Sequence, residues 1–119
     1  MYSKHKKVEM STVYITQDTP GRNFLPAKKY GTLKGLLEGN VQIVLSAAPV
    51  IRKLRRRLRD FNDDDYLLLT GDPVIMGIAI AVAMEVNRGR VNLLKWDKRE
   101  SGYYDVFVDM FHTGDDDDD

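Results

Sequence analysis

Apolar residues between Ser11 and Met110 fall into two alternating patterns: short β-branched or aliphatic runs, and stripes at helical spacing. Ser11–Thr16 (STVYIT) sets Val13 and Ile15 against Thr12 and Tyr14, which is the period of a strand. Gln17–Asn23 stops it with a Pro20-Gly21 turn. In Phe24–Gly39, Tyr30, Leu33, Leu36 and Leu37 stand at helical spacing, but Gly31, Gly35 and Gly39 each weaken a helix; the expectation is a short helix flanked by loops. Val41–Leu45 (VQIVL) reads as a strand, followed by Ser46-Ala47-Ala48-Pro49 and a helix to about Phe61. Val50, Ile51, Leu54, Leu58 and Phe61 make its apolar stripe. Tyr66–Leu69 is a second apolar strand. Thr70-Gly71-Asp72-Pro73 starts the next helix, with Asp72 as N-cap and Pro73 at the first helical position. That helix, Pro73–Asn87, is apolar almost all round, so burial on most sides is expected, with Gly77 close to the sheet and Gly89 as a left-handed cap. Arg90–Asp97 and the alternating Tyr103–Met110 should pair as a hairpin across the polar turn Lys98–Gly102.

Strands alternating with helices imply parallel pairing through right-handed crossovers. The expected fold is α/β: a small Rossmann-like sheet in two or three layers, mostly parallel, with an antiparallel C-terminal hairpin edge strand. Three parallel strands are expected, and the place of the first strand is open. Residues 1–10 are expected to be a flexible N-terminus, 11–111 a single α/β domain, and 112–119 a disordered acidic tail, because five consecutive Asp repel and bury nothing. If strand order is monotonic, both crossover helices fall on one face. The other face then needs the Phe24–Gly39 segment or a second chain, which is the argument for a homodimer.

Composition narrows the classes. The chain has no cysteine, which removes disulfides and thiolate metal sites. Met1–Lys7 is polar and basic, with no signal-peptide pattern, and the longest apolar run, Val74–Val86, is too short to span a bilayer. A cytoplasmic protein is expected. Net charge is zero but unevenly placed: residues 1–62 carry 13 Lys and Arg against 4 Asp and Glu, and residues 63–119 carry 5 against 14. Such an asymmetry fits either a solvated surface with an acidic tail or a basic face with a specific partner.

The densest charge is on the first long helix, where Arg52, Lys53, Arg55, Arg56, Arg57 and Arg59 leave the apolar stripe intact. Arginine binds phosphate bidentately, so nucleic acid is a candidate partner, as is an acidic protein. A solvated outer face with intramolecular ion pairs is the competing account. Asp115–Asp119 could compete for the same face by mimicking a phosphate chain, or simply aid solubility; it resembles the acidic tails of single-stranded-DNA-binding proteins in the tail alone, without their apolar end. The turns at Ser46 and at Thr70, Gly71 and Asp72 present helix N-termini at the carboxyl edge of the sheet, where nucleotides bind in open α/β folds. Neither is a P-loop or a G-x-G-x-x-G fingerprint, and Asp72 puts negative charge where a phosphate would sit. Capping by Ser46 and Asp72 is the plainer account. Trp96, Tyr103 and Tyr104 could stack a base or only pack the hairpin. His5 and His112 fall in the terminal segments, Asp63, Asp64 and Asp65 point in different directions, and no nucleophile motif is present. No cofactor or metal is expected, and catalysis is disfavoured.

Three segments, TQDTPGRNFLPA (16–27), YLLLTGDP (66–73) and LLKWD (93–97), together resemble small uncharacterised proteins of tailed bacteriophages. The resemblance spans most of residues 11–110 and carries no catalytic or binding residue with it. It implies a viral accessory protein in the host cytoplasm that binds a partner. The leading expectation is therefore a non-enzymatic binding module that engages nucleic acid or an acidic partner through the basic helix. A Rossmann-like nucleotide-binding or sensing domain and a structural homodimer are the alternatives.

Overall fold

The computed structural model describes residues 10–112. The expected flexible start and acidic tail lie, apart from Met10 and His112, outside the described residues. The elements run β1 (Thr12–Ile15), a 3-10 helix (Leu25–Tyr30), β2 (Thr32–Gly35), α1 (Ala48–Arg57), β3 (Tyr66–Leu68), α2 (Pro73–Val86), β4 (Arg90–Asp97) and β5 (Gly102–Asp109). They form one five-stranded sheet in the order β2-β1-β3-β4-β5. β1 pairs in parallel with both β2 and β3, β3 with β4 in parallel, and β5 closes antiparallel on β4, from Arg90 opposite Asp109 to Asp97 opposite Gly102. The fold is thus mixed α/β and mostly parallel, with an antiparallel hairpin at one edge. The first strand lies inside the sheet.

Alternation along each strand divides the core in two. Tyr14, Leu67, Val91 and Leu93 face α1 and α2 and pack with Leu54, Leu58, Ile75, Ala79 and Val82. Val13, Ile15, Leu68, Leu94 and Tyr103 face the opposite way and pack with Phe24 and Ala27 of the 3-10 segment. The second face is therefore covered in part by the chain's own residues 24–30, and Tyr30 fastens this cover by donating its hydroxyl to the Tyr103 carbonyl at 3.1 Å.

Several expectations are corrected. Val41–Leu45 is not a strand: its backbone bonds go to turns, with the Val41 N–H on Glu38 and the Ser46 N–H on Val44. Val41 and Ile43 still pack on the α-helical core, while Val44 is 68% exposed. The strand lies earlier, at Thr32–Gly35, inside the segment read as helical, so four strands rather than three are parallel. The close approach of Gly31 (φ +154°) to the Ser11 carbonyl sets it up, since an added Cβ would collide there. α1 ends at Arg57, although Leu58 and Phe61 remain buried. α2 is, as expected, buried or half-buried on most sides: Ile75, Ala79, Val82 and Ala83 face inward, Ile78, Ile80, Met84 and Val86 pack beside them, and one stripe through Val74, Gly77, Ala81 and Glu85 is exposed. Gly77 likewise faces outward with no neighbour near its missing Cβ, so it does not bring the helix close to the sheet. Gly89 does take the left-handed conformation at the end of α2, with φ +80°.

At the amino end of the sheet, buried Asp65 ties two strands together. Its Oδ1 accepts the Thr12 N–H at 2.9 Å and its Oδ2 the Asn62 N–H at 3.0 Å. Neighbouring Asp63 serves a different pair, accepting from Arg90 at 3.0 Å and Asn87 at 2.8 Å.

Candidate functional site

The apolar stripe of α1 decides where its cations go. Val50, Leu54 and Leu58 are held against the sheet, so Arg52 and Arg56, one turn apart, lie on the opposite side and are exposed. Arg55 sits on the flank toward α2 and binds Glu85 through two bonds, Nε to Oε1 at 3.0 Å and Nη2 to Oε2 at 2.7 Å. Arg57, on the other flank, donates to the Leu36 carbonyl. The six cations thus separate into two groups. Arg55 and Arg57 hold α1 to its surroundings. The side chains of Arg52, Lys53, Arg56 and Arg59 make no hydrogen bond or ion pair with another described residue. Arg55, Arg56 and Arg57 also occupy the last turn, where a cation interacts favourably with the helix dipole.

The second candidate group lies at the carboxyl end of the sheet, between β1 and β3, where the connections diverge to opposite sides. Here the chain's own polar groups meet one another. Thr16 Oγ1 accepts the Thr70 N–H at 2.9 Å and donates to the Thr70 carbonyl at 2.5 Å. Gln17 Oε1 accepts the Asp72 N–H at 2.9 Å, while its Nε2 donates to the Val41 carbonyl at 2.9 Å and the Glu38 carbonyl at 3.1 Å. Gly71 (φ +98°) lies against the Gln17 side chain. Asp72 caps α2 by accepting the Val74 N–H at 2.8 Å. Ser46 sits one residue ahead of the N-cap of α1, and its hydroxyl accepts the Ala48 N–H at 3.1 Å.

A third feature is only half visible in the sequence. A cleft of about 470 Å³ opens between the loop Thr19–Asn23 and the end of the β4–β5 hairpin, with Arg22, Asn23 and Pro26 on one wall and Trp96 and Tyr103 on the other. Trp96 and Tyr103 are cross-strand partners whose rings meet edge to face, 5.0 Å between centroids. Tyr104 points to the other side of the hairpin and does not join them; Lys95 lies over its ring at 5.9 Å. Burial pushes the Tyr103 hydroxyl above its ordinary pKa, and Arg22 pulls it the other way. Sequence reading misses Arg22 because more than 70 residues separate it from Trp96. Placing β1 inside the sheet would have found it, since the loop after β1 then opens at the carboxyl edge.

The geometry thus defines a small, mostly parallel α/β protein with a basic helix on one face and an aromatic cleft at its carboxyl edge. Over residues 11–110 the chain matches the family described as "Phage Pam3 gp32-like protein", and it belongs to that family. The resemblance to small phage proteins is borne out at that level. No curated protein and no solved structure shows a significant match. Among the described residues no helix is long and apolar enough to cross a membrane.

Proposed function

We propose that this phage-family protein is a binding module that engages nucleic acid through the outward face of α1. The observation that carries the reading is the exposed pair Arg52 and Arg56 on the outward ridge of α1, with half-buried Lys53 on its flank and exposed Arg59 in the turn just past its end, all four side chains without an intramolecular partner among the described residues, while the opposite stripe is fixed in the core. Arg52 and Arg56 lie about 6 Å apart along the axis, a row that suits a line of phosphates better than one isolated carboxylate. Their place of action on this reading is the host cytoplasm. The test is binding to single- and double-stranded nucleic acid at about 50 and 200 mM salt. Arg52→Ala, Arg56→Ala and Arg59→Ala together should weaken binding across all sequences and flatten its salt dependence by roughly one unit of slope per lost phosphate contact. No binding at low salt, or a triple variant indistinguishable from the parent, removes the proposal. Binding confined to an acidic polypeptide would assign the same face to a protein partner.

A second reading, a homodimer, is favoured by one observation: among the described residues β5 has a neighbouring strand on one side only, and Phe107, Met110 and Phe111 are exposed on it and just after it. A second copy laid along that edge would cover them. Sedimentation of the full chain decides it. A dimer that becomes monomeric with Phe107→Asp supports it, and a monomer at high concentration ends it.

A further inference from the structure

We propose that the cleft between the loop after β1 and the end of β4 binds a small planar anion, with its ring against Trp96 and its charged group held by Arg22 and the Tyr103 hydroxyl. The volume of about 470 Å³ falls within the range of about 300–1,000 Å³ usual for small-molecule sites. The place is also apt, outside the carboxyl ends of the strands of an open α/β sheet.

The chemistry of the walls selects the ligand. Trp96 is 38% exposed although its strand neighbour on that face, Leu94, is covered, and its edge-to-face contact with Tyr103 fixes the ring before any ligand arrives. Tyr103 is 6% exposed, yet its hydroxyl makes no hydrogen bond to another described residue. Every fully buried side-chain polar atom among the described residues has a partner, so this hydroxyl is not fully buried, and Tyr103 lines the cleft. Arg22 has no ion pair among the described residues. Its loop is held by the Arg22 N–H on the Thr19 carbonyl at 3.2 Å and by Asn23, whose Oδ1 accepts the Leu25 N–H at 3.0 Å and leaves the Asn23 amide group free to donate. No carboxylate lines the cleft among the described residues. Its polar equipment is thus a guanidinium, a phenol and an amide around an aromatic wall, which favours a ring carrying phosphate or carboxylate. The site is independent of the basic helix, because Tyr103, and Trp96 paired with it, lie on the face of the sheet opposite α1.

Trp96 is the chain's single tryptophan, so its emission reports this site directly. The full chain is titrated with adenosine 5′-monophosphate, benzoate, adenosine and inorganic phosphate, following Trp96 emission and heat of binding. A saturable change with the monophosphate or with benzoate is expected, about tenfold or more tighter than with adenosine or inorganic phosphate. The monophosphate alone would assign a phosphate ligand, and benzoate alone a carboxylate. Arg22→Ala should weaken binding about tenfold at unchanged melting temperature and leave nucleic-acid binding by α1 intact. Tyr103→Phe should weaken it less, again without unfolding. No saturation with either ring-bearing anion at millimolar concentration, equal affinity for adenosine and its monophosphate, or an Arg22→Ala variant that binds as the parent does, overturns the proposal.

Discussion

Gln17 and Gly71 occupy one another's space at the carboxyl end of the sheet: a Cβ added to Gly71 would stand 2.6 Å from the Cβ of Gln17, and Gly71 itself has φ +98°. Nothing but glycine lets the β3–α2 turn approach closely enough for the Asp72 N–H to reach Gln17 Oε1. The same side chain reaches the Val41 and Glu38 carbonyls, so one buried amide joins the end of β1, the start of α2 and the loop before α1.

Gly71→Ala should therefore cost at least about 2 kcal/mol, combining a left-handed backbone penalty with the collision. Gln17→Ala removes the Oε1 and Cδ that an added Gly71 Cβ would strike but keeps the Cβ, so only part of the collision goes, and it strands the Asp72 N–H and the loop carbonyls, at roughly 1–3 kcal/mol for each group left buried and unpaired. The two residues are in contact, so the double variant should lose less than the sum of the single losses. Urea denaturation of the four proteins checks this, and strict additivity would show that the contact does not matter.

The loop before α1 also explains where the sequence is legible and where it is not. β4 is legible to the residue, and β1, β3, α2 and the hairpin to within one or two, because each has a long apolar period or an unambiguous punctuating residue such as Asp72-Pro73. β2 escapes such reading because it is a four-residue edge strand with little to bury; only Leu33 among its residues is half-buried. Val41–Leu45 imitates a strand because Val41 and Ile43 do face the core while the backbone between them never joins a ladder. The cations of α1 are legible from composition alone. Which of them are engaged is not, since Glu85 and the Leu36 carbonyl lie far from them in sequence.

The misplaced strand gives a direct contrast. Val44→Asp would be ruinous were residues 41–45 a central strand, but exposed Val44 should tolerate it within about 0.5 kcal/mol. Leu36→Ala, at a fully buried side chain just past β2, should cost about 2–5 kcal/mol. Melting both variants against the parent reads the difference, and a large loss from Val44→Asp would reinstate the strand.

Asp65 should make stability depend on pH in an unusual direction for a carboxylate. Burial pushes its pKa above the ordinary 3.8, the Thr12 and Asn62 N–H groups oppose that, and Asp64 and Asp60 add repulsion. The folded state then holds this proton more tightly than the unfolded chain. The group favours folding most below its unfolded pKa, and that advantage is lost as pH rises through the folded value. Asp65→Asn, which keeps one acceptor and cannot ionise, is the comparison. The parent's stability relative to the Asp65→Asn variant should fall as pH rises from about 3.5 to 7, measured by urea denaturation at each pH. A gap that widens with pH would mean that the two N–H bonds outweigh burial. Asp65→Ala, with both N–H groups stranded, should lose roughly 2 kcal/mol or more at any pH.

The Arg55–Glu85 pair bears on both stability and the proposed binding face. The guanidinium's hydrogen bonds hold the Glu85 carboxyl below its ordinary 4.5. A depressed carboxyl contributes stability above its unfolded pKa and loses it as pH falls through the folded value, so coupling between the residues should be present at neutral pH and vanish well below 4.5. The pair is more than half exposed, so concentrated salt should erase the coupling too. A double-mutant cycle with Arg55→Ala and Glu85→Ala at neutral and acid pH, each at low and high salt, reads it; coupling that survives acid would place its origin in packing between α1 and α2. An arginine already engaged by a carboxylate has less to offer a phosphate. Arg55→Ala should then weaken nucleic-acid binding less than Arg56→Ala one position along, while Glu85→Ala, by releasing Arg55, should strengthen it. The reverse order would mean that the face of α1 turned toward α2, and not its outward ridge, meets the partner.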